Sequence, residues 1–174
     1  FKETFLAYAN TFTNKDLVTL LVVLEHTMPE DQITQRLEEC ASVIDAFKPR
    51  TQQPDVRVIG PQQGILNTEE RVSIHKDGDC MVAPSYSMSA SSIVLEAALY
   101  KSTPIVNKGN ASYECLGQEN IWGIESYEEI CIYKDSPLRY RFTCGELWHK
   151  PIIKSLANIM HTCYINKLKR DKKQ

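Results

Sequence analysis

The sequence lacks any apolar run long enough to span a bilayer: the longest, "LVTLLVVL" at Leu17–Leu24, falls far short of the ~20 residues a crossing helix needs. No signal-peptide pattern precedes it, so the expected location is cytoplasmic. An excess of basic charge is also missing. Lys and Arg number 20 against 22 Asp and Glu, a net charge of -2, which gives no general electrostatic reason to expect a nucleic-acid partner. The six cysteines, Cys40, Cys80, Cys115, Cys131, Cys144 and Cys163, include no C-x-x-C pair, so neither a zinc site nor a small disulfide framework is indicated. His26, His75, His149 and His161 are scattered, with no pair at metal-helix spacing. Each reads as a surface or structural residue, and no metal is expected. His26 alone, closing "LEH" at a strand end, sits on the edge where a ligand is expected. Internal repeats and low-complexity linkers are absent too. What is present is 43% hydrophobic and 24% charged residues in a chain of 174, the balance of one ordinary soluble domain. The chain opens on Phe1 in a helix-like segment, so further residues are expected upstream.

Periodicity gives the order of elements. Phe1, Phe5, Tyr8 and Phe12 share one helical face, and "DLVTLLVVL" follows as a buried strand. In "EDQITQRLEECASVIDAF", Ile33, Leu37, Cys40, Ile44 and Phe47 form one apolar stripe of an amphipathic helix. "DVRVIG" alternates as a strand, and Asn67 with Glu70 forms a capping box for a short helix. "CMVAP", "SIVLEAALYK" and "TPIVN" continue as strand, helix and strand. Beyond Val106, "NKGNASYECLGQENIWGIES" reads as a loop and short strand and "SYEEICIY" as a helical turn leading to a strand. "GELWHKPIIKSLANIMHTCYINKLK" reads as a long closing helix. Strict alternation with short connections predicts an α/β fold with a doubly wound, Rossmann-like parallel sheet, because parallel strands need crossovers and helices supply them.

The block of serines in "CMVAPSYSMSASSIVLEAALYKSTPIV" stands where a buried strand hands over to a buried helix. In open α/β sheets, ligands bind outside the carboxyl ends of the strands. A helix start there offers unpaired N–H groups and the positive end of the dipole to a phosphate. Two readings stay open: Ser89, Ser91 and Ser92 cap the helix, or the turn holds a phosphate. Glu96, about one turn into the helix amid apolar neighbours, is either a ribose acceptor or a solvent-facing residue.

This segment resembles the donor site of retaining glycosyltransferases of the GT-B fold, whose pattern runs P-S-x-x-E-G-x-G-x-x-x-x-E-A-x-x-x-G-x-P-V-V. Pro84, Ser85, Glu96, Ala97, Pro104 and Val106 match. Upstream, Gly60 and Asp79 fall in register, and the likeness weakens toward both ends of residues 1–165. It implies that residues 1–174 form a nucleotide-sugar (donor) binding domain, one half of a GT-B architecture, lacking its first strand and an upstream acceptor domain. Glu96, the second member of the E-x7-E pair, would bind ribose hydroxyls. The amides of Ser89, Ala90, Ser91 and Ser92 would hold the diphosphate, and Gly60, Pro61 and Gln62 would lie along the base. Met88 replaces the first glutamate and so faces the donor sugar, either as an apolar surface for a deoxy position or as filling in a site that has lost activity. Ser89 and Ser91 replace two glycines, and Lys101 and Ser102 the usual small residue and glycine before Pro104.

The implied activity is transfer of a sugar, with retention, from a nucleotide-diphosphate donor to an unidentified glycan, lipid or protein, with no cofactor. The catalytic residues are not assigned. A nucleotide-sugar isomerase and a non-catalytic nucleotide- or protein-binding module are the alternatives. The tail "KLKRDKKQ" is read as a solvated helix end, with peripheral contact to anionic membrane as the alternative.

Overall fold

"DVRVI" alternates apolar and polar, whereas "TLLVV", expected as a buried strand, is an apolar run of which Val22 is buried and Leu21 and Val23 are exposed, because successive side chains point to opposite faces and one face alone packs on the helices. The two segments pair in parallel as β1 (Thr19–Val23) and β2 (Asp55–Ile59). The computed structural model describes residues 2–24, 30–60, 66–86, 89–130 and 147–171. It is mixed α/β with parallel strands, and it divides into two compact units, one of Phe1–Ile74 with Leu156–Gln174 and one of His75–Ser155. No helix among the described residues is long and apolar enough to cross a membrane.

In the first unit, helices α1 (Lys2–Thr11) and α2 (Glu30–Phe47) bury Phe5, Ala9, Cys40 and Ile44 against Val22, with Leu20, Val56 and Val58 packed around them. The stripe read from the sequence of α2 holds at Ile33, Cys40 and Ile44, while Phe47 at the last turn is 62% exposed. Buried Tyr8 ties the starts of both strands together: its single O–H is shared between the carbonyls of Val18 (3.0 Å) and Asp55 (2.8 Å). Burial pushes its phenol up from 10.0 to about 12. The later turns of α6 (Ile153–Asp171) complete this unit, with Leu156 and Met160 buried and Tyr164 edge-on to Phe12.

Helix α3 (Thr68–Asp77) begins with the expected capping box. The Asn67 side chain accepts from the Glu70 N–H (2.9 Å), and the Glu70 carboxylate accepts from the Asn67 N–H (2.8 Å).

The second unit is built on β3 (Cys80–Ala83), β4 (Thr103–Asn107) and β5 (Trp122–Ile124), parallel and in that order. Helix α4 (Ser92–Leu99) connects β3 to β4 and packs Val94 against Val106 and Ile121. Three departures from the periodicity lie downstream. Residues read as loop include α5 (Ala111–Leu116), a short helix whose start is fixed by Asn110: its side chain accepts the Ser112 N–H. "SYEEI", read as a helical turn, is strand β6 (Ser126–Ile130), and "LWHKP", read as the beginning of the last helix, is strand β7 (Leu147–Pro151). These two pair antiparallel, with Glu128 opposite His149. Cross-strand pairing decides both, and no local periodicity carries it.

Candidate functional site

Helix α4 starts where the sequence places it, immediately after the serines. Ser91 takes the N-cap position with extended backbone, but its hydroxyl makes no capping bond. The Ser91 carbonyl accepts the N–H groups of Val94 (3.1 Å) and Leu95 (3.2 Å). The Ser91 N–H itself donates to the Ser112 hydroxyl at 3.0 Å. Among the described residues, the backbone N–H groups of Ala90, Ser92 and Ile93 are left without a protein partner in this turn. Ser89, Ala90 and Ser92 are exposed and Ser91 is half-buried.

Behind the turn lies a polar network that the sequence does not announce. Asn107, fully buried at the end of β4, donates one amide hydrogen to the Ser85 carbonyl and one to the His149 carbonyl, both at 2.9 Å. Because both neighbours are acceptors, the carboxamide orientation is fixed with Nδ2 toward them. Its Oδ1 is buried with no partner among the described residues. Three residues on, Asn110 donates to the Ser89 carbonyl at 2.9 Å while its Oδ1 accepts the Ser112 N–H at 2.8 Å. Asn110 and Ser112 are both buried. Strand β7 joins the same knot through its backbone, the His149 N–H donating to the Tyr86 carbonyl at 3.3 Å. The Tyr86 and Trp148 rings pack at 4.8 Å between centroids. The His149 ring lies over Gly109, where a Cβ would come within 2.8 Å of it. His149 is thus a packed residue of this corner.

Glu96 projects from the second turn of α4 between buried Val94 and Ala97, its side chain 33% exposed. Its carboxylate lies 4.0 Å from Nε2 of buried His75 on α3. The far end of α4 closes in a Schellman arrangement: the Lys101 N–H donates to the Ala98 carbonyl and the Ser102 N–H to the Ala97 carbonyl. Lys101 adopts the left-handed conformation this requires, φ 66°, so a lysine stands in the conformation that glycine takes without cost.

Of the other residues read as candidates, Gly60 follows β2 in the first unit, and a Cβ built there would meet nothing within 4 Å. The serine turn and Glu96 belong to the second unit. Pro61, Gln62, Met88 and His26 lie outside the described residues. The first unit also holds an open cavity of about 660 Å³ at the beginning of β2, floored by Phe5, Ile44 and Val56 and rimmed by Asp16, Asp45 and Arg50. None of the described candidate residues lines it. Among the described residues no group of three His, Cys, Asp or Glu side chains could hold a metal ion.

Comparison with protein-family models, curated proteins and solved structures finds no match to this chain. The functional reading therefore rests on the geometry above and on the motif resemblance.

Proposed function

We propose that this chain is the nucleotide-sugar binding half of a GT-B glycosyltransferase. The observation that carries the reading is the β3–turn–α4 unit. Three backbone N–H groups with no protein partner among the described residues, at Ala90, Ser92 and Ile93, stand about one helical turn before the half-buried carboxylate of Glu96. Amides at a helix start suit a diphosphate, and a carboxylate suits the two hydroxyls of a ribose.

The strand pairings support a doubly wound sheet. In a sheet of order 3-2-1-4-5-6, the second and third strands pair with each other and the fourth, fifth and sixth pair in sequence. With β1 counted as the second strand, the pairings β1–β2 and β3–β4–β5 are the same set. The resemblance adds an upstream acceptor domain, which would supply the other wall of the active site.

In the transfer itself the bond between the sugar's anomeric carbon and the diphosphate oxygen breaks, the acceptor hydroxyl oxygen bonds that carbon with retention, and the hydroxyl proton leaves with the nucleoside diphosphate. The amides would stabilise the negative charge growing on the departing diphosphate. Because Ser112 takes the Ser91 N–H, the charge would fall on Ala90, Ser92 and Ile93 instead of on the whole run 89–92. The proposed location is the cytoplasm, where nucleotide sugars are available as donors.

The 4.0 Å approach of His75 to Glu96 favours a second reading, a non-catalytic binding module in which Glu96 is an internal partner of the histidine and only the phosphate contacts remain. Calorimetric titration with UDP and GDP against inorganic pyrophosphate separates the two. Donor-site binding predicts that a nucleoside diphosphate binds more tightly than pyrophosphate and that Glu96→Gln removes the difference. Equal affinity for all three ligands would favour the phosphate-only module, and no binding of any would refute both.

A further inference from the structure

The serine turn, "PSYSMSAS" between β3 and α4, is half serine, a composition that by itself leaves the backbone free to sample many shapes. Yet its carbonyls at Ser85 and Ser89 are each held by a side chain from 22 or 21 residues further along the chain, Asn107 and Asn110 respectively. Both asparagines are buried, at 0% and 3% exposure. Asn107 keeps Oδ1 unpartnered among the described residues, a desolvation cost that an aliphatic side chain at the end of β4 would not incur. Asn110 does two things at once, capping α5 with its oxygen and holding the turn with its nitrogen. Ser112 then fixes the Ser91 N–H from the same corner.

We infer that Asn107 and Asn110 are positioning residues of the serine turn, an assignment that deepens the donor-site reading and rests on it. They anchor the turn at Ser85 and at Ser89 to the β4–α5 corner. The N–H groups of Ala90, Ser92 and Ile93 are thereby set in one arrangement before a ligand arrives. Binding then does not have to order the turn, which is the general gain from preorganisation. The charge of the site is unaffected, since every anchor is neutral.

Asn110→Ser is the discriminating variant. Serine caps a helix start about as well as asparagine, so α5 keeps its cap, while the donor to the Ser89 carbonyl is lost. Ser112→Ala, which removes the acceptor of the Ser91 N–H, is the second variant should the first fold poorly. Three readouts on the full chain are needed: melting temperature, backbone amide order parameters at Ala90, Ser92 and Ile93, and affinity for UDP and GDP. The expected result for Asn110→Ser is a melting temperature close to wild type, order parameters at those three amides falling from the rigid range, about 0.85, toward about 0.6, and nucleotide affinity about tenfold weaker, the scale of a single lost hydrogen bond. Unchanged order parameters in both variants would overturn the inference. So would lowered order parameters with nucleotide affinity equal to wild type, because the anchors would then be structural only. Failure of the wild type to bind either nucleotide would instead refute the donor-site reading, and the positioning role with it.

Discussion

Nε2 of His75 lies 4.0 Å from the carboxylate of Glu96, the one acid in the apolar body of α4. The same carboxylate is the group on which ribose recognition would depend, so the pair carries two opposed expectations. If Glu96 serves a ligand, Glu96→Gln should weaken UDP or GDP binding by about tenfold, since hydrogen bonds to a charged acceptor are worth roughly 1.5–3 kcal/mol and glutamine retains part of that. The melting temperature should stay near that of wild type, and His75→Ala should affect affinity less than Glu96→Gln. If the pair is structural, both substitutions lower the melting temperature and leave affinity alone. Calorimetric titration and thermal melts of the two variants decide it.

Lys101 is held at φ 66° by the Schellman closure of α4. A non-glycine residue there is strained by roughly 1–2 kcal/mol relative to glycine in the folded state, and the greater freedom of glycine in the unfolded chain offsets part of the gain. Lys101→Gly should therefore stabilise the protein by about 0.5–1 kcal/mol, measured by urea unfolding. A destabilised variant would mean that the aliphatic stem of Lys101 contributes more packing than its backbone costs.

Gly109 lies under the His149 imidazole, with three ring atoms within 2.9 Å of where a Cβ would stand. Gly109→Ala should cost about 1–3 kcal/mol, the usual scale of overpacking. Most of that cost should vanish in a His149→Ala background, because the clash is with the ring and not with a backbone atom. A double-mutant cycle by chemical denaturation measures the coupling, and additive effects would contradict the packing described here.

How much of this was legible in the sequence differs by element. The capping box at Asn67 and Glu70 and the positions of the first strands could be read because their signals are local, a three-residue spacing and an apolar run, although the burial expected of β1 holds at Val22 and not at Leu21 or Val23. Helix α5 was missed because six residues give too little periodicity to see, and its only local mark is Asn110 as N-cap. "SYEEI" and "LWHKP" were misread because each becomes a strand only by pairing with the other. The serine turn was found through its composition, but its anchors were not. Nothing in "TPIVN" or "GNAS" reveals that Asn107 and Asn110 reach back to Ser85 and Ser89.

Tyr8 gives the first unit a defined alkaline limit. Burial raises its phenol to about 12 in the folded protein against 10.0 for the free side chain. The folded state thus holds its proton over a range where the unfolded state has lost it, so the contribution is fully present below pH 10 and is lost as pH rises toward 12. Wild type should lose stability across that window more steeply than Tyr8→Phe, which has no phenol to ionise. Urea midpoints for both proteins between pH 9 and about 11.5 test this, and parallel curves would contradict it.

The central claim is that the start of α4 binds the diphosphate of a nucleotide, and amide chemical shifts report on it most directly. Titrating the isotopically labelled chain with UDP and with GDP should move the amide resonances of Ala90, Ser92 and Ile93 along saturable curves that agree with one another, with Glu96→Gln shifting the midpoint to higher concentration. Resonances that stay fixed at these three amides, while those around the Asp45 and Arg50 cavity move or none move at all, would contradict the account.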